Sequence, residues 1–177
     1  MMALGVKWPA LSVLVFASTT VLASSTSAHT NLIGATPSAD RIVIEKSHHR
    51  LTTYSSGKVL NIYRVSLGPY PKGPKERQGD GRTPEGLYTI DARKPDSGFH
   101  LALHISYPSV TDRARAAALR VDPGGDIMIH GLKNGLGWIG SFHHFKDWTN
   151  GCIAVTNAEM DELWKSVPVG TVVEIRP

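Results

Sequence analysis

The stretch that best indicates the fold of this chain is Asp147-Trp148-Thr149-Asn150-Gly151-Cys152-Ile153-Ala154-Val155. Gly151 allows the backbone to turn tightly or to approach another group closely. Cys152 then enters a short apolar strand. Directly after it, Thr156-Asn157-Ala158-Glu159 has the spacing of a helix capping box. The stretch therefore predicts a turn, a strand and a helix that continues to about Val167.

Outward from this stretch, short apolar or β-branched segments bounded by turn residues predict a mainly β domain. Predicted strands cover residues 41–45, 51–54, 59–67, 87–90, 101–107 and 171–175. Ser55-Ser56-Gly57-Lys58 is a hairpin signal, and in the strand that follows it Val59, Tyr63, Val65 and Leu67 should share one face. Residues 68–82, rich in Gly, Pro and charge, predict a long loop, and 111–119 predict a short helix. Many short strands with one or two small helices favour a two-sheet architecture.

The composition is that of one globular domain. Hydrophobic residues make up 41% and charged residues 19% of the 177 residues, a length that suits a single core. The formal net charge is +4, but the basic residues are scattered, so nucleic-acid binding is not expected.

The amino-terminal part has the pattern of a secretory signal. Lys7 precedes an apolar run over residues 8–22, and Thr26-Ser27-Ala28 fits a signal-peptidase site. We therefore expect a signal peptide over residues 1–28, a polar leader over 29–39 and one domain over 40–177. Export to the periplasm follows, with membrane association only if the signal stays uncleaved.

Cys152 is the only cysteine of the chain, so it has no intramolecular disulfide partner. In an exported protein an unpaired thiol is a liability unless it is buried or used. A thiol nucleophile needs a base within reach and N–H groups aimed at the developing oxyanion. The backbone N–H groups of Gly151 and Cys152 are candidates for the second role.

A candidate base lies in Asp126-Ile127-Met128-Ile129-His130-Gly131, where an apolar strand ends at a histidine. His130 alone would as readily be a core histidine bonded to a backbone carbonyl, and Cys152 alone a buried structural thiol. The sequence does not show whether the two side chains meet.

Taken together, these motifs resemble the L,D-transpeptidase catalytic domain of the YkuD type. The resemblance includes Ile129-His130-Gly131 followed by Thr149-Asn150-Gly151-Cys152. It extends to Gly79-Asp80-Gly81-Arg82-Thr83-Pro84-Glu85-Gly86, Ile105-Ser106-Tyr107-Pro108 and Asp122-Pro123-Gly124-Gly125, and so covers nearly all of the predicted mature chain.

The resemblance implies a β-sandwich-like fold and acyl transfer on peptidoglycan stem peptides, without metal or organic cofactor. Cys152 would attack the carbonyl at the L-centre of a diamino acid and D-Ala would leave. An amine would then resolve the thioester. His130, oriented around Gly131, would be base and acid. Gly151, with Asn150 and Thr149, would form the oxyanion turn, and Arg82 is a possible substrate contact.

Two positions depart from the commoner family pattern. Asn150 stands where many members have histidine, so a second-histidine role is lost there. Ala154 stands where many have Arg or Asn, which puts a carboxylate contact from that position in doubt.

His143 and His144 are a separate candidate pair. A zinc site is not expected, because their spacing fits no common ligand pattern. His143 is either a substrate-contacting or supporting residue or a partly exposed loop histidine. His48 and His49 are interpreted as turn residues. The nearby aromatic residues are interpreted as the loop's own packing, with a lid over the cleft as the alternative: Trp138, Phe142, Phe145 and Trp148.

Three functions stay open from the sequence. The first is a transpeptidase. The second uses the same site with water as acceptor, as an L,D-carboxypeptidase or an amidase that releases a stem-linked protein. The third is a non-catalytic wall-binding module with an inert Cys152.

Overall fold

A computed structural model describes residues 37–177, together with Met2 and Gly5. The predicted signal peptide and most of the predicted leader lie outside these residues. Among the residues described, no helix has both the length and the apolar character needed to cross a membrane.

The described domain contains eight strands and two α-helices, in agreement with the mainly β prediction. The strands are β1 (Arg41–Glu45), β2 (Arg50–Ser55), β3 (Lys58–Arg64), β4 (Gly86–Ser97), β5 (His100–Ile105), β6 (Met128–His130), β7 (Ile153–Ala154) and β8 (Val172–Arg176). The helices are α1 (Val110–Leu119) and α2 (Asn157–Ser166), and short 3₁₀ segments cover Lys46–His48 and Gly137–Phe145.

All eight strands belong to one sheet, in the order β3-β2-β1-β8-β4-β5-β6-β7. The first part of β4 pairs with β8 from Gly86 to Thr89, and its later part pairs with β5 from Ile90 to Ser97. Beyond β3, Ser66 forms an isolated bridge to Ala154 of β7, at the other end of the sheet order. The sheet therefore curls back on itself. This confirms the mainly β, sandwich-like prediction, but the two separate sheets expected from the sequence are one continuous curled sheet.

The hairpin between β2 and β3 confirms its sequence signal. Ser56 and Gly57 form the turn, both with positive φ, as two-residue hairpin loops favour. One detail of the prediction is wrong: Val59 is 52% exposed rather than on the buried face of Tyr63. The register shifts between Thr53 and Tyr54, and such a bulge turns the following side chains to the other face.

Both helices begin at a capping box, and α2 carries core residues. Thr156 accepts a hydrogen bond from the Glu159 N–H while the Glu159 side chain accepts one from the Thr156 N–H, as predicted. Met160 and Leu163 of α2 are fully buried in the same hydrophobic cluster as residues of β5, β6 and β7. The helix thus supports the strands that carry His130 and adjoin Cys152.

Candidate active site

The pairing of β6 with β7 brings His130 and Cys152 together. These strands are parallel, with Ile129 opposite Ile153 and His130 opposite Ala154. Cys152 directly precedes β7. At about 4.8 Å between strands and 3.3 Å per residue, its Cα lies about 8 Å from that of His130. Both side chains line a cleft of about 770 Å³.

His130 is held as a neutral imidazole, and its Nε2 has no hydrogen-bond partner among the residues that the structure describes. Its side chain is 5% exposed, and Nδ1 lies 2.7 Å from the carbonyl oxygen of Gly131. Because a carbonyl only accepts hydrogen bonds, Nδ1 must carry the proton. Burial lowers the pKa of His130, and the hydrogen bond to Gly131 offsets only part of this effect. At neutral pH the ring can therefore accept a proton at Nε2.

Cys152 is a half-buried thiol rather than a preformed thiolate. Burial raises its pKa, opposed by a hydrogen bond from the Met128 backbone. Its Sγ lies 3.4 Å from the carbonyl oxygen of Asp126 and donates there. No hydrogen bond joins Sγ to the His130 ring within residues 37–177. The two pKa shifts favour an uncharged thiol–imidazole pair, so nucleophilic attack requires proton removal as it proceeds.

The turn before Cys152 is organised by the Thr149 hydroxyl. Its oxygen accepts from the Gly151 N–H at 3.2 Å and it donates to the Cys152 carbonyl at 2.7 Å. The Gly151 N–H is therefore occupied, which corrects the expectation that it serves the oxyanion. The Cys152 N–H has no acceptor in the described part of the chain, and it remains a candidate oxyanion donor.

Gly151 is required by a close backbone approach. Its φ is +111°, and a Cβ at this position would lie 2.4 Å from the carbonyl oxygen of Arg82. The Arg82 side chain pairs with Glu76 at 3.5 Å and is not part of the cleft lining. Arg82 therefore supports the turn before Cys152, which we call the nucleophile turn, with its backbone. The sequence suggested that the Arg82 guanidinium contacts substrate, but the structure does not bring it to the cleft.

We call residues 68–85 the rear loop, because they contact the turn before Cys152 and do not contribute to the cleft lining. Two buried lysines hold this loop. Lys46 Nζ donates to the carbonyls of Gly73 and Thr83 and pairs with Glu85 at 2.8 Å. Lys75 Nζ pairs with Asp80 at 2.9 Å. Sequence reasoning assigned no role to either lysine, because nothing in a local pattern marks a lysine as buried.

We call residues 131–149 the front loop, because they form much of the cleft wall. It is attached to the segment after β3 by the Ser66 hydroxyl, which lies 3.0 Å from both Nδ1 and the carbonyl oxygen of His143. Asp147 adds a second attachment, because its carboxylate accepts from the Leu67 N–H at 2.8 Å. The other Asp147 oxygen lies 2.9 Å from His49 Nε2. His49, a turn residue as expected, with a φ of 47°, thus also supports the front loop.

His143 is buried, at 8% exposure, which excludes the alternative of a partly exposed loop histidine. It lines the cleft, as do the exposed Asn150 and the half-buried Trp148. At the start of the front loop, Gly131 packs closely against Asn157. A Cβ added at Gly131 would lie only 2.7 Å from the Asn157 amide oxygen. Of the predicted site residues, the cleft thus brings together Cys152, His130, Thr149, Asn150 and His143.

The interpretation of the front-loop aromatics as internal packing is wrong for three of them. Trp138, Phe142 and Phe145 are 81%, 71% and 85% exposed. Trp148 does pack internally, with its ring 6.1 Å from that of Phe99 and 5.9 Å from that of His130. Within the described residues, no three His, Cys, Asp or Glu side chains cluster as a metal site would require.

Fold and site together define a class: a β domain with one curled sheet that presents a thiol and a neutral imidazole at a common cleft. The chain belongs to the L,D-transpeptidase catalytic domain family (YkuD), whose family model matches residues 39–175.

Comparison with an individual curated protein agrees with this family. The Escherichia coli (strain K12) protein YafK, which carries a provisional L,D-transpeptidase name, is 32% identical over 112 residues. That match covers 62% of this chain and 38% of YafK, so the chain spans under half the length of this curated relative.

Two solved structures show the same fold. The helical cell shape determining protein Pgp2 of Campylobacter jejuni superposes with a TM-score of 0.58 at 23% identity, over 79% of this chain and 48% of Pgp2. An L,D-transpeptidase of Mycobacterium smegmatis gives 0.53 at 18% identity, over 78% and 59% of the two chains.

Proposed function

We propose that the chain is a cysteine acyltransferase that acts on peptidoglycan stem peptides, with Cys152 as nucleophile. One observation carries the proposal. A neutral His130 at the end of β6 and an uncharged Cys152 directly before the adjoining β7 line the same cleft. Membership of the L,D-transpeptidase family points to the substrate class.

In the first half-reaction, Cys152 Sγ attacks the carbonyl at the L-centre of a stem-peptide diamino acid. The S–C bond forms while His130 Nε2 takes the thiol proton. The C–N bond to D-Ala then breaks, and His130 returns the proton to the leaving amine. The Cys152 N–H stabilises the oxyanion.

In the second half-reaction an amine attacks the thioester. Its proton passes through His130 to the departing Cys152 sulfur. The carboxypeptidase and amidase alternatives would use the same residues. In both, water enters in place of the amine, and in the amidase the group that leaves is a stem-linked protein instead of D-Ala. A wall-binding module without catalysis would leave the free Nε2 of His130 without a role.

The experiment that tests the substrate class is incubation of the purified protein with isolated muropeptides and, separately, with protein-linked wall fragments, followed by mass analysis. Cross-linked dimers would establish transpeptidation. Loss of D-Ala without dimers would establish carboxypeptidation. Unchanged muropeptides together with unchanged protein-linked wall fragments would refute the proposal.

Cys152→Ala is expected to abolish acyl transfer while the thermal midpoint changes little, because both hydrogen bonds of the half-buried thiol, to the Asp126 carbonyl and from the Met128 backbone, are weak ones to sulfur. Turnover and thermal unfolding are measured on the same preparation. Near-normal turnover by the folded variant would show that another group is the nucleophile.

His130→Gln is expected to slow thioester formation by about 100-fold or more, the usual scale for loss of a general base. The rate is measured by intact-mass detection of the acyl-enzyme. An unchanged rate would assign the base role to another residue.

We also propose that the enzyme works in the periplasm after removal of residues 1–28, since its substrate class lies outside the cytoplasmic membrane. N-terminal sequencing of the protein from its native host tests this. A mature chain that begins near His29 is expected, and a chain that still begins at Met1 in the membrane fraction would contradict it.

A further inference from the structure

His143 carries a buried acceptor that the first half-reaction does not use. Its Nε2 is buried and has no hydrogen-bond partner among residues 37–177. A buried polar atom without a partner costs free energy until a donor reaches it. Because His143 lines the cleft, a molecule bound there is a suitable source of that donor.

The tautomer of His143 follows from its two contacts with Ser66. The Ser66 hydroxyl donates to the His143 carbonyl oxygen, which can only accept. The hydroxyl has one hydrogen, so its oxygen must accept the proton of His143 Nδ1 at 3.0 Å. The lone pair of the ring therefore lies on Nε2, which makes His143 an acceptor.

His143 also stays neutral throughout the physiological pH range. Burial, followed by the neighbouring His144 and His130, lowers its pKa to about 4. A neutral acceptor with so low a pKa holds an N–H or O–H group without removing its proton. Proton removal in the cleft is left to His130.

Such an acceptor would have a role in the second half-reaction. A water molecule or a primary amine that attacks a thioester brings at least two hydrogens. One passes to His130 Nε2, and the other needs an acceptor if the nucleophile is to be held in one orientation. The rings of His130 and His143 lie 5.9 Å and 6.4 Å from that of Trp148, so the two histidines belong to one aromatic cluster beside Cys152.

We propose that His143 Nε2 accepts a hydrogen bond from the amine or water that resolves the thioester, and so positions this nucleophile for attack. This inference rests on the proposed function, because it assumes an acyl-enzyme at Cys152. It assigns His143 to the acceptor step alone. The segment from Ser66 to Leu67 serves the same step by attaching the front loop beside β7.

His144 supplies a matched control. It adjoins His143, with ring centroids 3.9 Å apart, and its Nε2 is also buried without a partner in the described chain. It is not part of the cleft lining. His143→Phe and His144→Phe therefore make the same chemical change at a residue that lines the cleft and at a neighbour that does not.

The test measures the two half-reactions separately by time-resolved intact mass, with a purified disaccharide tetrapeptide as acyl donor and a D-amino acid as amine acceptor. In His143→Phe the acyl-enzyme should accumulate, with its resolution about 10-fold slower, the scale of one lost hydrogen bond. Its formation should change less than about 2-fold. His144→Phe should match the wild type at both steps, and His143→Gln, which retains an acceptor, should recover most of the resolution rate.

Equal slowing of both steps in His143→Phe, or no slowing of resolution, would overturn the inference. If His143→Phe does not fold, His143→Met fills the space with a flexible chain and only a weak acceptor, and the same result is expected. Absence of any acyl-enzyme in the wild type would instead count against the proposed function.

Discussion

The rear and front loops both contact the nucleophile turn, yet they are held by different interactions. Lys46 and Lys75, 1% and 3% exposed, bind carbonyls and carboxylates of the rear loop, so buried ionic contacts hold this loop. No buried lysine holds the front loop in the described structure. It is attached through hydrogen bonds of Ser66 and Asp147 and through backbone bonds such as Thr149 N–H to the Leu67 carbonyl, and its Trp138 and Phe145 are exposed. We infer that the rear loop sets the position of Cys152 and the front loop contacts what enters the cleft.

The largest effect is expected where the rear loop contacts the turn. In Gly151→Ala the new Cβ would collide with the Arg82 carbonyl, and the backbone keeps a φ of +111° that alanine disfavours. Acyl transfer should fall by about 100-fold, as a displacement of about 1 Å at a reacting group can produce. The measurement is the rate of acyl-enzyme formation.

The matched substitution in the front loop is Gly135→Ala. Gly135 has a φ of +83° but no atom within 4 Å of the added Cβ. We expect about 1–2 kcal/mol of destabilisation from the left-handed backbone and little change in rate. Similar losses of activity in both variants would refute the different roles of the two loops.

The second effect is the loss of stability expected when a buried lysine of the rear loop is removed. Lys46→Met should lower the free energy of unfolding by about 3–5 kcal/mol, because it leaves the Glu85 carboxylate and two carbonyl oxygens without their buried partner. The exposed front-loop Lys146→Met should change it by less than about 0.5 kcal/mol. Urea unfolding at neutral pH measures both. A small loss in Lys46→Met would mean that the rear loop does not depend on the ion pair.

The smallest effect is a different response of the two loops to acid. A histidine with a lowered pKa binds fewer protons when folded, so it contributes stability above its unfolded pKa of about 6.5, and that stability is lost as the pH falls. For His143 the loss runs down to about pH 4, and the pKa of His144 is also lowered by burial. Burial would raise the pKa of the Asp80 carboxyl in the rear loop, but hydrogen bonds from the Glu76 N–H, the Lys75 ammonium and further backbone N–H groups outweigh burial and hold this pKa below its ordinary value. The stability that Asp80 contributes is therefore lost only at a lower pH than the stability that His143 contributes.

Hydrogen exchange checks this difference. Between pH 7 and pH 5, protection factors in the front loop should fall several-fold while those in the rear loop stay constant. His143→Gln should remove most of the change. Parallel loss of protection in both loops would show that acid acts on the whole domain instead.

Several features could be predicted from residues that are near neighbours in sequence. The hairpin at Ser56-Gly57, the capping box at Thr156 and the strand before His130 depend on local turn chemistry and local apolar patterns. The choice of Cys152 and His130 as candidates needed only a lone thiol after glycine, a histidine at a strand end, and the family resemblance.

Other features arise from contacts between residues far apart in the chain. Ser66 meets His143 across 77 positions, and His49 meets Asp147 across 98. The Thr149 hydroxyl takes the N–H that we expected Gly151 to offer, a local contact that a Thr-x-Gly turn could have suggested. Arg82 contributes a carbonyl rather than a guanidinium, because the rear loop directs that side chain to Glu76.

The sequence by itself determined the family, the mainly β character and the two residues that carry the proposed chemistry, since each depends on residue types at short spacing. Only the tertiary structure decided which residues surround them. The curl of the sheet sets which distant side chains meet, and burial sets their charge. The same burial keeps His130 and His143 neutral and leaves the Cys152 thiol protonated, because a low-polarity interior disfavours every charged form.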